Sequence, residues 1–454
     1  MDMPENLYDV HLSAYGHSSS ILSPVGRMMA QFAADFRDGV DINLGVGYVS
    51  EEAIPYEEVA EAFLAIRRDP RRYRVPLNYG GPAGSPNLIA SIKRFLLENR
   101  VGDLTAEILG DRQIIIGPSG ASSILEGLAE VIAPGIVITS DPRYYIYCEV
   151  LQRHGFEVVS VPEDPFGLNP QSLVETIKGL GSRAEEVRFF YVVTVNNPTC
   201  RILPSERRAA IVACAEELSY RLGRKVPVVF DAAYELLLHD PEVARPNSPF
   251  HYDRLGLVYE VGTLSKIVAP ALRIGFIIGP RGPLMDALVQ HTCDVGFSAP
   301  LFCQEIASYL LDREGPKRLK EVQAVYRQRA LGARAAIEKY LGWALEDLSG
   351  GQAGFYFYLT FREIETAEGS LFFRYLTRTT GDPEIDGPPD RRHPRVMYLP
   401  GQFCVDPNGS LREVGRRQLR ISYGYEEPSR IEEGIALMGE AARYSLSRVG
   451  SYST

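Results

Sequence analysis

The sequence is poor in lysine, in cysteine and in long apolar runs, and each shortage excludes a class of protein. Only seven of its 48 basic residues are lysines, and 58 acidic residues give a net charge of −10, so a nucleic-acid partner is not expected. Its six cysteines form no CxxC pair, which favours free thiols in a reducing compartment. The longest apolar stretch, residues 114–138, is interrupted by proline, glycine and glutamate and cannot span a membrane.

The remaining composition is that of a globular protein. Its 454 residues are 45% apolar and 23% charged, enough for a large core and more than one domain. Residues 1–5 include acidic side chains and no apolar run, unlike a signal peptide. We therefore expect a cytoplasmic protein. We expect no metal site either, because histidines and cysteines do not cluster.

One of the few lysines has an unusual setting. Lys266 is surrounded by Ser, Ile, Val, Ala and Pro and follows an apolar run at residues 255–261, whereas the other lysines lie in polar or helical surface settings. A desolvated lysine can lose its proton and form a Schiff base, which an arginine cannot do. From this stretch alone, a lysine at the rim of a strand with its ammonium in water is an equally good interpretation.

Strands and helices alternate through the middle of the chain. Apolar runs typical of buried strands occur at residues 136–139, 156–161, 187–195 and 227–231, with helical patterns between them. This alternation predicts an α/β domain whose sheet is mostly parallel and covered by helices.

Beyond about residue 300 long helices and short strands predict a smaller α+β domain. We expect residues 1–50 to be an N-terminal segment of that small domain, residues 51–324 to form the large domain, and residues 325–454 to form the C-terminal small domain. The stretch 381–393 is rich in Pro, Asp and Arg, which is typical of an exposed or mobile loop.

Polar side chains follow the predicted strands directly. They are Ser119, Tyr144, Asn197, Asp231 and Lys266. Because sites in parallel sheets lie at the carboxyl ends of the strands, we expect these residues to meet.

Together these side chains match the parts of one cofactor. The turn at residues 117–120 opens a predicted helix, whose free N–H groups favour a phosphate. Tyr144 could stack on a planar ring, Asp231 could keep a ring nitrogen protonated, Asn197 and Tyr234 could bond a ring oxygen, and Lys266 could hold an aldehyde as an imine. A molecule with these four parts is pyridoxal 5′-phosphate. Taken singly, each residue fits an ordinary core, turn or strand-end position.

The same positions carry a family resemblance. The chain resembles the fold-type I, class I/II aminotransferases in Asn197-Pro198, Asp231-x-x-Tyr234, Ser265-Lys266 with Pro270 and Arg273-x-Gly275, and Arg420 in Leu-Arg-Ile-Ser. The similarity covers nearly the whole chain. The spacing after the lysine is most similar to the branch that includes 2-aminoadipate aminotransferases.

The resemblance implies a role for each residue. Lys266 would hold the cofactor and then move a proton, Asp231 would pair with the pyridine nitrogen, and Tyr234 and Asn197 would hold the phenolic oxygen. Arg420 would grip the substrate α-carboxylate as a bidentate fork, with the backbone of Gly47 beside it. The phosphate would be bound by Ser119, Gly120, Thr263, Ser265 and Arg273.

The resemblance also implies a homodimer, in which Tyr79 reaches the phosphate of the partner subunit. Pro118 departs from the family pattern, because proline removes a backbone donor from the phosphate loop.

These expectations predict a ping-pong transaminase that acts on an amino acid and a 2-oxo acid. The same scaffold also supports lyases and decarboxylases. A regulatory protein with a non-catalytic domain is disfavoured, since every expected catalytic position is filled.

The substrate is open at this stage. Arg27 could select acidic side chains and make glutamate a donor, or it could be a surface arginine. Tyr48 and the tyrosines at 144, 145 and 147 could equally favour an aromatic substrate.

Overall fold

The structure is a computed structural model that describes residues 10–388 and 390–449. The first residues of the chain, on which the expectation about a signal peptide depends, lie outside these ranges. None of the helices in the described ranges is long and apolar enough to cross a membrane.

Helices and strands alternate along most of the described chain. The α-helices are α1 (Ala14–Ser19), α2 (Pro24–Ala34), α3 (Tyr56–Arg68), α4 (Pro86–Glu98), α5 (Ala106–Gly110), α6 (Gly120–Val131), α7 (Tyr145–Arg153), α8 (Pro170–Gly179), α9 (Ser205–Leu222), α10 (Pro283–Gly296), α11 (Leu301–Tyr340), α12 (Leu371–Thr377), α13 (Pro383–Asp386), α14 (Arg412–Gly415) and α15 (Pro428–Val449). The strands are β1 (Ile42–Asn43), β2 (Arg112–Ile116), β3 (Ile136–Asp141), β4 (Glu157–Asp164), β5 (Gly167–Leu168), β6 (Val187–Val193), β7 (Val228–Asp231), β8 (Val258–Thr263), β9 (Gly275–Pro280), β10 (Leu345–Gly350), β11 (Tyr356–Phe361), β12 (Val396–Met397), β13 (Leu399–Pro400) and β14 (Gln418–Ser422).

The large sheet has the order β2-β9-β8-β7-β6-β3-β4-β5. Its inner strands β4, β3, β6, β7 and β8 are parallel, while β9 runs antiparallel to both of its neighbours. Successive strand side chains alternate between the two faces, so Phe189 packs into one core and Phe190 into the other. Both faces are therefore covered, and the predicted α/β fold with a mostly parallel sheet is confirmed.

A second, antiparallel sheet has the order β10-β11-β14-β13. The N-terminal strand β1 joins this end of the molecule, because it pairs in parallel with β12. The predicted boundary at residue 324 falls inside α11, which packs against α3 and α4 on one side and α15 on the other. The division into segments 1–50, 51–324 and 325–454 stays a prediction.

The stretch at 381–393 is tied to the N-terminal segment. It contains α13, and the Arg37 guanidinium donates to the carbonyl oxygens of Arg392 and His393 at 2.6 and 2.9 Å. Asp386 accepts from the backbone N–H of Gly381 at 2.8 Å. Within its described residues, this loop is held by specific hydrogen bonds.

Candidate active site

Two cavities meet at the carboxyl ends of the parallel strands. The inner one, of about 150 Å³, lies beside the loop between β2 and α6. The outer one, of about 710 Å³, is lined by residues of the strand ends, of α2 and of the antiparallel sheet. Both are lined by Tyr144, Asn197, Tyr234 and Lys266, so these residues stand where the two spaces join.

Lys266 lies three residues beyond β8, and its amine faces aromatic rings. Its Nζ is 5.5 Å from the centre of the Tyr234 ring and 5.2 Å from that of Phe355. Burial, with the charges of Arg273 and Arg420, lowers the pKa of Lys266 to about 8, and Asp231 opposes this shift. The uncharged amine, which a nucleophile requires, is therefore more populated than in an exposed lysine.

Asp231 is the last residue of β7 and is buried. Its Oδ2 accepts a hydrogen bond from the Tyr191 hydroxyl at 2.7 Å, and its Oδ1 accepts from the backbone N–H of Ala233 at 3.0 Å. Burial raises the pKa of Asp231, while the two hydrogen bonds and the charge of Lys266 act against the rise. Tyr191 is not predicted from the sequence, where its only signal is a hydroxyl in a mostly apolar strand.

Arg420, on β14, is buried beside Asn197. Its Nη1 donates to Asn197 Oδ1 at 2.7 Å and its Nη2 donates to the Gly45 carbonyl at 2.6 Å. Its Nε has no hydrogen-bond partner, and no carboxylate pairs with it in the described part of the chain. A buried guanidinium without a counter-ion is costly, so this position is suited to receiving an anion.

Tyr356 is a second residue that the sequence analysis missed. Its hydroxyl oxygen lies 2.9 Å from that of Tyr234, and its ring lies 4.0 Å from the Arg420 guanidinium carbon. A Cβ at Gly47 would stand 2.2 Å from the Tyr356 hydroxyl. Glycine is therefore required at 47 for this close approach.

The loop before α6 is joined to the start of β9. The Gly120 N–H donates to the Arg273 carbonyl at 2.7 Å, and the Arg273 guanidinium donates back to the Ser119 carbonyl at 3.1 Å. Gly120 has a φ of +71°, which favours glycine. The Thr263 hydroxyl donates to Ser265 Oγ at 2.9 Å. Hydroxyls, a helix N-terminus and an exposed guanidinium thus meet in one place, which suits a phosphate.

Four predicted site residues line neither cavity: Ser119 and Gly120, which directly precede Ala121 of the inner cavity, and Tyr79 and Arg27, which lie farther away. Tyr79 is 75% exposed, and its ring is 5.3 Å from the ring of Phe297. Arg27 is on α2, and its Nη2 pairs with Glu368 at 3.2 Å near the surface. Of the tyrosines considered for the substrate, Tyr147 is buried against Tyr191 and lines neither cavity.

Metal-type ligand atoms come together at one place outside the two cavities. Those of Glu126, Glu130 and His154 lie within 4.8 Å of one another. Glu130 also pairs with His291 at 2.8 Å. The expectation that the chain holds no metal stays a prediction.

Comparisons with known proteins identify the family of the chain. The family model described as aminotransferase class I and II matches residues 40–379. The chain is 25% identical over 421 residues to a 2-aminoadipate transaminase of Thermus thermophilus, covering 91% of this chain and 92% of that one. It is 23% identical over 409 residues to an uncharacterized HTH-type transcriptional regulator of Bacillus subtilis, covering 88% of this chain and 74% of that one.

Solved structures share the fold. A multiple substrate aminotransferase from Thermococcus profundus superposes with a TM-score of 0.80 at 19% identity, over 96% of this chain and 98% of that one. The α-aminoadipate aminotransferase of Thermus thermophilus superposes with a TM-score of 0.73 at 23% identity, over 95% of this chain and 99% of that one.

Proposed function

Because the chain belongs to the class I and II aminotransferases, we propose that it binds pyridoxal 5′-phosphate at the strand ends and moves an amino group between an L-amino acid and a 2-oxo acid. The reaction is ping-pong, so the first oxo acid leaves before the second enters. The observation that carries the proposal is the meeting of Lys266, Asp231 and Arg420 around joined cavities.

The residues present fit the cofactor. Lys266 offers an uncharged amine for the covalent link, and buried Asp231 offers a carboxylate for the pyridine nitrogen. Asn197 and Tyr234 offer donors for the phenolic oxygen, and Tyr144 lines the cavity as a ring to stack on. The phosphate would be bound by Ser119, Gly120, Thr263, Ser265 and Arg273, which bring hydroxyls and an exposed guanidinium together.

When bound, the cofactor supplies an electron-withdrawing ring that stabilises negative charge at the substrate α-carbon. Lys266 would take the proton from that carbon and give it back in the reverse direction, since its amine lines both cavities and its pKa is lowered. Asp231 lines the inner cavity, where its carboxylate would keep a ring nitrogen protonated. Tyr191 fixes the carboxylate in place through its hydrogen bond.

Arg420 orients the substrate. Its unsatisfied Nε and unpaired charge support a role in binding the α-carboxylate, and charge-assisted bonds of this kind are strong. Tyr356 and the Gly45 carbonyl hold the guanidinium from two sides. Gly47 lines the outer cavity beside it.

A homodimer is part of the proposal. Val75, Leu77, Tyr79 and Phe297 are exposed by 66%, 84%, 75% and 62%. An exposed apolar surface of this kind is typical of a protein interface. From this surface Tyr79 would reach the partner's phosphate site. Sedimentation of the wild type and of Tyr79→Phe, with the cofactor affinity measured for both, tests this arrangement.

The experiment that tests the function starts from the purified protein with its cofactor. Borohydride reduction followed by peptide mass spectrometry should place the cofactor on Lys266. Mixing the holoenzyme with an amino acid alone should release the matching 2-oxo acid in stoichiometric amount. A cofactor linked to another lysine, or oxo acid formed only when both substrates are present, contradicts the proposal.

A further inference from the structure

The outer cavity has a second wall, opposite the strand ends. We call it the α2 wall and define it as Met29, Phe32, Ala33, Phe36, Asp38, Tyr48, Met397 and Tyr425, all of which line the cavity. Met29, Phe32 and Ala33 are spaced to lie on one face of α2, and Phe36 follows two residues beyond the end of that helix. The rings of Tyr48 and Tyr425 pack edge to face at 5.4 Å. This wall is apolar and rich in aromatic rings.

Charges on the cavity lining are few. Among the described residues that line it, the charged side chains are Lys266, Arg420 and Asp38. In the proposed function Lys266 holds the cofactor and moves the proton, and Arg420 binds the substrate α-carboxylate. Of these three charged side chains, only the exposed Asp38 is left to face the substrate side chain.

The arginines near α2 all pair with carboxylates of the described chain, and none of them lines the outer cavity. Arg27 pairs with Glu368 at 3.2 Å, Arg37 with Asp41 at 2.5 Å, and Arg395 with both Asp35 and Asp41 at 2.7 and 2.8 Å. These positive charges are committed to carboxylates of the protein itself. A second carboxylate on a substrate would lose hydration here without gaining a cation.

We infer that the α2 wall receives an uncharged aromatic side chain of the amino acid substrate and that Asp38 disfavours a second carboxylate. This inference rests on the proposed function and adds the substrate class. Rings on the wall offer edge-to-face packing to a ring of the substrate. Substrates are then discriminated in two ways: the apolar wall attracts an aromatic side chain, and the Asp38 carboxylate repels a second carboxylate.

The test uses the holoenzyme and a matched set of donors. Phenylalanine, para-carboxyphenylalanine and glutamate are compared by the rate of the half-reaction. We expect kcat/KM for phenylalanine to exceed that for each acidic donor by at least about tenfold. Binding of 3-phenylpropionate and glutarate, which carry no amino group, is measured by calorimetry, and the aromatic acid should bind more tightly.

Asp38→Asn isolates the repulsive part. In this variant the ratio of kcat/KM for para-carboxyphenylalanine to kcat/KM for phenylalanine should rise by about threefold to fivefold. This is the size of one exposed charge interaction. Asp111→Asn makes the same chemical change at an exposed position of the large domain and should leave this ratio unchanged. An equal ratio in wild type and Asp38→Asn overturns the role of Asp38.

The outcomes distinguish a failure of the substrate inference from a failure of the proposed function. A holoenzyme that transaminates but prefers glutamate, and loses that preference in Arg27→Gln, overturns this inference alone. A protein that converts no amino acid and carries no cofactor on Lys266 overturns the proposed function, and this inference with it.

Discussion

The strand-end wall and the α2 wall face the joined cavities but are held in different ways. The strand-end wall consists of Tyr144, Asn197 and Lys266, which line both cavities, and Asp231, which lines the inner one. These residues stand on or next to the hydrogen-bonded strands of the large sheet. The α2 wall is held by ion pairs, in which Arg395 joins Asp35 and Asp41 and Arg37 joins Asp41. Reacting groups need fixed geometry, whereas a specificity wall can change its side chains without disturbing the sheet.

The largest effect is expected at the strand-end wall. Lys266→Ala removes the amine that holds the cofactor and moves the proton, so kcat should fall by at least about a thousandfold. Single-turnover rates measure this, and the dissociation constants of 3-phenylpropionate should change little because the α2 wall is intact. Lys178→Ala, at an exposed helical lysine, is the matched control and should keep full activity. Equal rates in both variants would refute the assignment of Lys266.

The next largest effect is expected in the ion pairs behind the α2 wall. Burial alone would raise the pKa of Asp41, but hydrogen bonds from Arg37 and Arg395 bring that pKa well below its ordinary value. In Asp41→Asn, Arg395 stays buried but loses one of its two carboxylate partners. The free energy of unfolding should therefore fall by about 3 kcal/mol. Urea unfolding at pH 7 measures the difference.

The pH dependence gives a check on this prediction. Since the folded-state pKa of Asp41 is depressed, its stabilising contribution is present above the unfolded-state pKa of about 4. It is lost as the pH falls towards the lower folded-state value. The gap between wild type and Asp41→Asn should therefore stay constant from pH 8 to 5 and shrink below about pH 4. A gap that grows on acidification contradicts the account.

Tyr191→Phe is expected to act on the strand-end wall with a smaller effect. Without the hydroxyl, Asp231 loses one of the bonds that favour its charged form, so its pKa should rise further and kcat should fall about tenfold. KM should change little, and the absorbance of the bound cofactor should titrate at a different pH. Tyr147→Phe is the matched control, because Tyr147 is equally buried and its hydroxyl has no partner in the described chain. If both variants show the same pH profile, Tyr191 does not position Asp231.

The two walls also differ in how far the sequence predicts them. A buried parallel strand is a continuous apolar run, and the polar residue that ends it marks the site, so the fold and the positions of Asn197, Asp231 and Lys266 follow from the sequence. Tyr191 and Tyr356 do not, because their partners, Asp231 at the end of β7 and Tyr234 beyond it, lie 40 and 122 residues away in the sequence. Asp41 and Arg395 look like ordinary surface charges until a fold brings them together across 354 residues.

The smallest effect is expected at the rim of the α2 wall. Arg27 is 51% exposed in its pair with Glu368, and an exposed pair of this kind contributes at most about 1 kcal/mol. Glu368→Gln releases the Arg27 guanidinium and should change the free energy of unfolding by less than that. It also tests whether the pair with Glu368 keeps Arg27 from binding a substrate carboxylate, since the substitution leaves the Arg27 guanidinium without that partner. Glutarate should then bind slightly more tightly, by about fivefold at most, while 3-phenylpropionate binding stays unchanged. If glutarate binding instead weakens in Glu368→Gln, the ion pair does not keep Arg27 away from the substrate, and the charge argument for an aromatic side chain loses that support.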